Sequence, residues 1–99
     1  MEFIQIIEYK TSKPDEVAAL GEEFRAQRMN GEDGTPPLQV IVVKDRDREG
    51  TYQTIVHFSS YEEAMENSQR PETGEFAAQM AALCDGPPTF YNLDVVMKY

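Results

Sequence analysis

Apolar and polar positions alternate with two different periods along this chain, and each change of period marks an element. Residues 3–9, FIQIIEY, combine isoleucine with aromatics and predict a strand. TSKPDE follows as a helix start: Ser12 is placed to cap free amides, Pro14 suits a first turn, and Asp15 and Glu16 suit the positive end of the dipole. Val17, Leu20, Gly21, Phe24 and Arg28 recur at three- and four-residue spacing, which predicts an amphipathic helix of roughly four turns. NGEDGTPP, residues 30–37, reads as loop. LQVIVVK (38–44) and TYQTIVHFS (51–59) are β-branched runs flanking DRDREG, a hairpin whose charged turn ends in Gly50, where positive φ costs little.

A helical pattern then runs from Tyr61 to Cys84 but carries Arg-Pro-Glu-Thr-Gly in its middle. Ser60 and Glu63 have the spacing of a capping box, with Tyr61, Ala64, Met65 and Ser68 on one face. Pro71 cannot donate within a helix and pushes Arg70 out of the α region, yet it suits the first turn of a new helix. Two short helices are therefore predicted. The second carries Phe76, Met80 and Leu83 inward, with Ala77, Ala81 and Cys84 alongside. Gly86 is expected as its C-terminal cap, Pro87 and Pro88 prevent continuation, and TFYNLDVVMKY is the final strand.

The order is βαββαβ with the second helix broken near Pro71. It predicts an α+β, ferredoxin-like domain over residues 1–99, with a four-stranded antiparallel sheet and the helices on one face. The first and last strands are expected at or beside the sheet centre. Alternation then sorts each strand into two faces. Ile4, Ile6, Leu38, Val40, Val42, Val56, Phe58, Leu93, Val95 and Met97 form an apolar parity, expected under the helices. The opposite parity mixes Phe3, Gln5, Ile7 and Tyr9 with Gln39, Ile41, Val43, Gln53, Ile55, His57, Phe90, Asn92, Asp94 and Val96. Such a half-apolar face calls for another layer, and a second copy of the chain supplies one, enclosing a space suited to a small molecule.

Composition narrows the partners. Net charge is −9, which repels phosphate backbones and anionic lipid, so neither nucleic acid nor membrane is expected. Ninety-nine residues make one small domain, and no apolar run spans a bilayer. The start MEFIQIIEYK lacks a basic n-region and a cleavage site, and the single Cys84 cannot form an internal disulfide. A cytoplasmic location follows as the expectation.

His57 is the one histidine, and the only side chain whose ordinary pKa lies near neutrality. On the mixed face it is expected near Gln5, with Asp94 on the other side of Gln5, a line able to orient a substrate and carry one proton. The plainer reading is an interface histidine satisfied by a hydrogen bond. Gln53 joins the candidate orienters, and Tyr9 and Tyr91 are candidate ligand contacts, although tyrosines at strand ends commonly pack a ring and wet a hydroxyl. Asn67 and Arg70, before the helix break, are candidates for a cavity mouth; Asn67 equally suits a helix end. No phosphate-cradling glycine motif, zinc-ligand set or nucleophile elbow is present, and no cofactor is expected.

FSSYEEAMENSQRPETGEFAAQM and LCDGPPTFYNLDVV, within this element order, resemble the dimeric α/β-barrel superfamily. They are similar in particular to a group of short, uncharacterised bacterial proteins of antibiotic-biosynthesis-monooxygenase shape. The resemblance implies a homodimer that binds a small aromatic or polyketide-like metabolite between the sheet and its helices. It implies a cofactor-independent monooxygenase or isomerase, with a non-catalytic binding or stress-associated protein as the alternative and a fully packed assembly module as a third. Haem-degrading members use a second-helix histidine and a tryptophan, and the quinone-forming members a tryptophan; this chain has neither feature.

Overall fold

In the computed structural model, which describes residues 1–30 and 37–99, the elements follow in the order predicted. They are β1 (Phe3–Lys10), α1 (Pro14–Asn30), β2 (Gln39–Lys44), β3 (Thr51–Phe58), α2 (Tyr61–Ser68), α3 (Pro71–Leu83) and β4 (Thr89–Asp94). The loop expected over 30–37 falls almost wholly outside the described residues, as does the side chain of Arg28. The strands form one sheet in the order β2-β3-β1-β4, and every neighbouring pair is antiparallel. β1 is thus interior, whereas β4 is an edge strand beside it.

Local chemistry sets the boundaries. Ser60 accepts from the Glu63 N–H at 3.1 Å, as the capping pattern predicts, but the Glu63 carboxylate accepts from the Ser59 hydroxyl instead of closing the box on Ser60. The helix then breaks where Pro71 requires it. Gln69 ends α2, Arg70 is extended (φ −73°, ψ 140°), and α3 restarts at Pro71, with the Arg70 carbonyl accepting from Thr73 and Gly74. At the far end, Cys84 and not Gly86 caps α3; Gly86 (φ 98°) serves the turn beyond it. The last strand ends at Asp94 instead of running to Tyr99, although the Val95 N–H still reaches the Glu2 carbonyl at 2.9 Å.

The β2–β3 turn is built from its charges. Asp45 accepts from the Asp47 and Arg48 N–H groups at 2.9 and 3.1 Å and from Arg48 Nε at 2.8 Å. Arg48 Nη2 and Gln53 Nε2 both donate to Glu8 Oε1, at 2.8 and 2.9 Å, which fastens the turn to the central strand. Gly50 closes the turn with φ 78°. Its carbonyl accepts from the Thr11 N–H at 3.0 Å, while the Thr11 hydroxyl donates to the Leu83 carbonyl at 2.7 Å. Thr11 therefore joins the ends of β1, the hairpin and α3.

The register decides which face is covered. Phe3 lies opposite Phe58 and Gln5 opposite Val56, so Phe3, Gln5, Ile7 and Tyr9 share a face with Tyr52, Thr54, Val56 and Phe58. β2 and β4 add Val40, Val42, Lys44, Phe90, Asn92 and Asp94 to it. This is the helix-bearing face. Phe3 and Phe58, each 2% exposed, pack with Ala64 of α2, while Val56 and Met65 lean on that cluster and Tyr61 meets Phe3 edge to face at 5.3 Å. α1 and α3 pack together through Phe24 stacked on Phe76 at 4.3 Å. The expected grouping was therefore right for β2 and β3 but inverted for β1 and β4: Ile4, Ile6 and Leu93 lie on the helix-free face. Both parities of β1 are half apolar, so its pattern alone does not choose between them.

Truncating the end cluster tests its weight. Phe58→Ala is expected to cost about 3–5 kcal/mol in urea unfolding, because a buried aromatic leaves a void that its neighbours cannot fill. The turn cluster makes a pH prediction. Donation from Gln53, then from Arg48, holds the Glu8 carboxyl below its ordinary value. A depressed folded pKa stabilises above the unfolded value and loses that contribution as pH falls through the folded one. Gln53→Leu should raise the Glu8 pKa in an NMR titration and move the onset of acid unfolding to higher pH.

Candidate functional site

The helix layer covers the helix-bearing face most fully at its two ends, only partly over the middle of β1 and β3, and least over the flanking strands. One end is the Phe3–Phe58–Ala64 cluster. The other holds Tyr9, 5% exposed and stacked on Tyr52 at 5.9 Å, near the Thr11–Leu83 junction. Between them Gln5, Ile7, Thr54 and Val56 are only half-buried. On the flanking strands Val40 and Val42 are 53% and 62% exposed and Phe90 is exposed as well, although all three point to the side where the helices lie. The result is a cleft with an apolar floor, roofed at its ends.

Few polar groups stand on that floor. Gln5 Nε2 donates to Asn92 Oδ1 at 3.2 Å, across the β1–β4 pair. The Tyr9 hydroxyl engages the Thr54 side chain, and burial raises its pKa above the ordinary phenol value. Thr54 lies opposite Ile7, one same-face position from Gln5 along β1. The only charged side chains among the described floor residues are Asp94 and Lys44, at opposite corners of the sheet. Between those corners the floor is an uncharged, largely apolar surface with two amides and a hydroxyl, and two phenols at its Tyr9 end, a composition that suits a flat organic molecule.

The expected line of His57, Gln5 and Asp94 does not form, because the register puts His57 on the other face. Its backbone partner in β1 is Ile4. Its Nε2 lies 2.5 Å from Glu2 Oε1, and Lys98 Nζ reaches both Glu2 oxygens at 2.9 and 3.0 Å. Lys98 first, and His57 second, hold the Glu2 carboxyl below its ordinary value. His57 thus has the hydrogen-bonded surroundings of the plainer reading. Gln53 and Tyr91 are also on this helix-free face, Gln53 spent on Glu8 and Tyr91 exposed on β4.

Of the sequence candidates, the structure brings Gln5 and Tyr9 to the cleft floor and leaves Asp94 at its corner, opposite Phe3. Asn67 and Arg70 sit at the helix break, where the Asn67 carbonyl accepts from the Arg70 N–H at 3.3 Å and Arg70 Nε donates to Glu72 at 3.3 Å. Cys84 is half-buried, and burial together with neighbouring Asp85 pushes its thiol pKa up, the reverse of activation. Sequence reasoning overlooked Asn92 and Thr54 as site groups. Asn92 was readable as the polar position in an aromatic strand, but its value depends on pairing with Gln5, which only the β1–β4 register shows. Among the described residues no group of three or more His, Cys, Asp or Glu side chains is placed to hold a metal ion, and no helix is long and apolar enough to cross a membrane.

No protein-family profile and no curated protein sequence matches the chain. Many solved structures match its fold. A candidate antibiotic biosynthesis monooxygenase from Caulobacter crescentus superposes with a TM-score of 0.80 at 18% identity, over 97% of this chain and 91% of that one. SnoaB, a cofactor-independent oxygenase from Streptomyces nogalater, gives 0.79 at 12% identity, over 98% and 95%. Rv0793 from Mycobacterium tuberculosis gives 0.72 at 19% identity, over 99% and 98%. The chain is similar in fold to antibiotic biosynthesis monooxygenases along almost its entire length.

Proposed function

We propose that this chain works as a homodimer whose cleft, between the sheet and the helices, binds a flat aromatic, polyketide-like metabolite and oxygenates it without a cofactor. The observation that carries this reading is the partly open floor between two closed ends, apolar except for Gln5, Asn92 and Thr54, with the Tyr9 and Tyr52 phenols at one end. The fold shared with SnoaB, a cofactor-independent oxygenase, supports the class of reaction.

The chemistry asks little of the protein beyond holding an anion. A methylene ketone that gives a proton to solvent becomes an enolate, which can give an electron to oxygen. Addition of O2, return of a proton from solvent and loss of water then leave a carbonyl where the methylene stood. Donors that meet the enolate oxygen favour its formation. Tyr9 suits that task because a phenol is protonated at neutral pH and can donate, and the Asn92 amide supplies a second donor. If the same anion took its proton back at another carbon, the protein would be an isomerase, and oxygen uptake separates the two.

The other face supports the dimer. Ile4, Ile6, Ile41, Val43, Ile55 and Leu93 share the helix-free surface, with Ile41 and Leu93 exposed. The Glu2–His57–Lys98 cluster stands at one end of it and the Glu8–Arg48–Asp45 cluster at the other. An apolar field with charged ends is self-complementary when a twofold axis passes through its middle, so a second copy is the natural cover. His57 then belongs to the interface and not to the reaction.

Anthrone under air provides the test of chemistry. Saturable oxygen uptake, with one anthraquinone formed per O2, is expected, and Tyr9→Phe should lower the rate roughly tenfold or more. Saturable binding with no uptake over long incubation would instead mark a sequestering protein. The assembly is checked by native mass spectrometry: a dimer is expected for the wild type and a monomer for Ile41→Glu. A wild-type monomer at micromolar concentration would remove the second layer.

A further inference from the structure

Resting on the cleft reading above, we infer that the Gln5–Asn92 amide pair selects ligands that carry both a hydroxyl and a carbonyl along one edge of an uncharged aromatic body. Each primary amide has two N–H donors and one acceptor oxygen. The single bond between them, Gln5 Nε2 to Asn92 Oδ1 at 3.2 Å, uses one donor of Gln5 and lies on the oxygen of Asn92. Among the described residues neither side chain makes another hydrogen bond. What remains is an acceptor oxygen and one N–H on Gln5 and both N–H donors of Asn92, so the pair still offers an acceptor at its Gln5 end and donors at its Asn92 end. A ligand hydroxyl donates to the first, and a ligand carbonyl accepts from the second.

The surroundings sharpen the selection. Ile7, Val56 and Phe90 border the pair on the same face, so a ligand lying there loses water from its polar edge and must regain those bonds from the amides. A site built to hydrogen-bond a group rejects the analogue lacking it more strongly than an apolar site rejects a missing methylene. Charge points the same way. The floor has no ionic side chain between Asp94 and Lys44, and the chain as a whole carries −9, which disfavours an anionic ligand at long range. The favoured ligand is therefore neutral when it arrives, and becomes an anion only once bound.

Three small probes separate this idea from the cleft itself: 3-hydroxyacetophenone, with both functions, and phenol and acetophenone, with one each. Binding is followed through the side-chain amide signals of Gln5 and Asn92 and the methyl signals of Ile7 and Val42. The bifunctional probe is expected to bind about five- to tenfold more tightly than either single-function probe, the worth of one further hydrogen bond. Gln5→Met and Asn92→Leu, which keep comparable bulk, should each remove that preference while the methyl shifts persist. Equal binding of all three probes, with methyl shifts intact, would overturn the amide selection and leave the cleft standing. If no probe moves the methyl signals, the cleft reading falls and the selection falls with it.

Discussion

Antiparallel pairing of β1 with β3 on one side and β4 on the other is the constraint on which this molecule depends. It sets Phe3 against Phe58 at one end, where Ala64 of α2 packs, and Tyr9 against Tyr52 at the other, near the Thr11 hydroxyl that bonds the end of α3. Glu8, one residue before Tyr9, turns to the opposite face and receives Arg48 and Gln53, which ties the hairpin to the same strand. A central strand with both neighbours paired leaves few backbone groups unsatisfied, while its side chains decide the register in which it pairs.

The helices are attached at points and do not lie flat on the sheet. Tyr61 and Ala64 hold α2 to the Phe3 end, and the Leu83 carbonyl, bonded to Thr11, holds the end of α3. Between these anchors α3 finds its apolar contact in α1, through Phe76 and Phe24. The proline break allows this arrangement, because an unbroken helix from Tyr61 could not serve the Phe3 end and then change direction toward Thr11. The open floor is thus a consequence of where the anchors lie and of the chain's need to turn between them.

Much of this was legible in the residues. The order of elements, the restart at Pro71, the Ser60 cap and the positive φ of Gly50 each follow from one or a few side chains acting locally. The pairing of faces was not. Phe3, Gln5, Ile7 and Tyr9 alternate with Ile4, Ile6 and Glu8, and neither set is clearly the wetter one. The aromatic rings of Phe3 and Tyr9 settle the matter in the folded chain by finding Phe58 and Tyr52, contacts separated by more than forty residues. That one choice moved His57 away from Gln5 while Asn92, expected on the same face as Gln5, became its partner, so the candidate site changed although the fold did not.

Because the strand is a two-sided object, its alternating residues answer to different demands. Odd positions of β1 line the cleft and even positions the helix-free surface, so single substitutions alter one property at a time. Insertion or deletion of one residue within β1 would exchange the two sets together and expose Phe3 and Tyr9 where Ile4 and Ile6 now lie. Variation in length should therefore be far less tolerated in this strand than variation in side chain. A library built on it can diversify the cleft and the opposite surface independently, provided its members all keep the same number of residues.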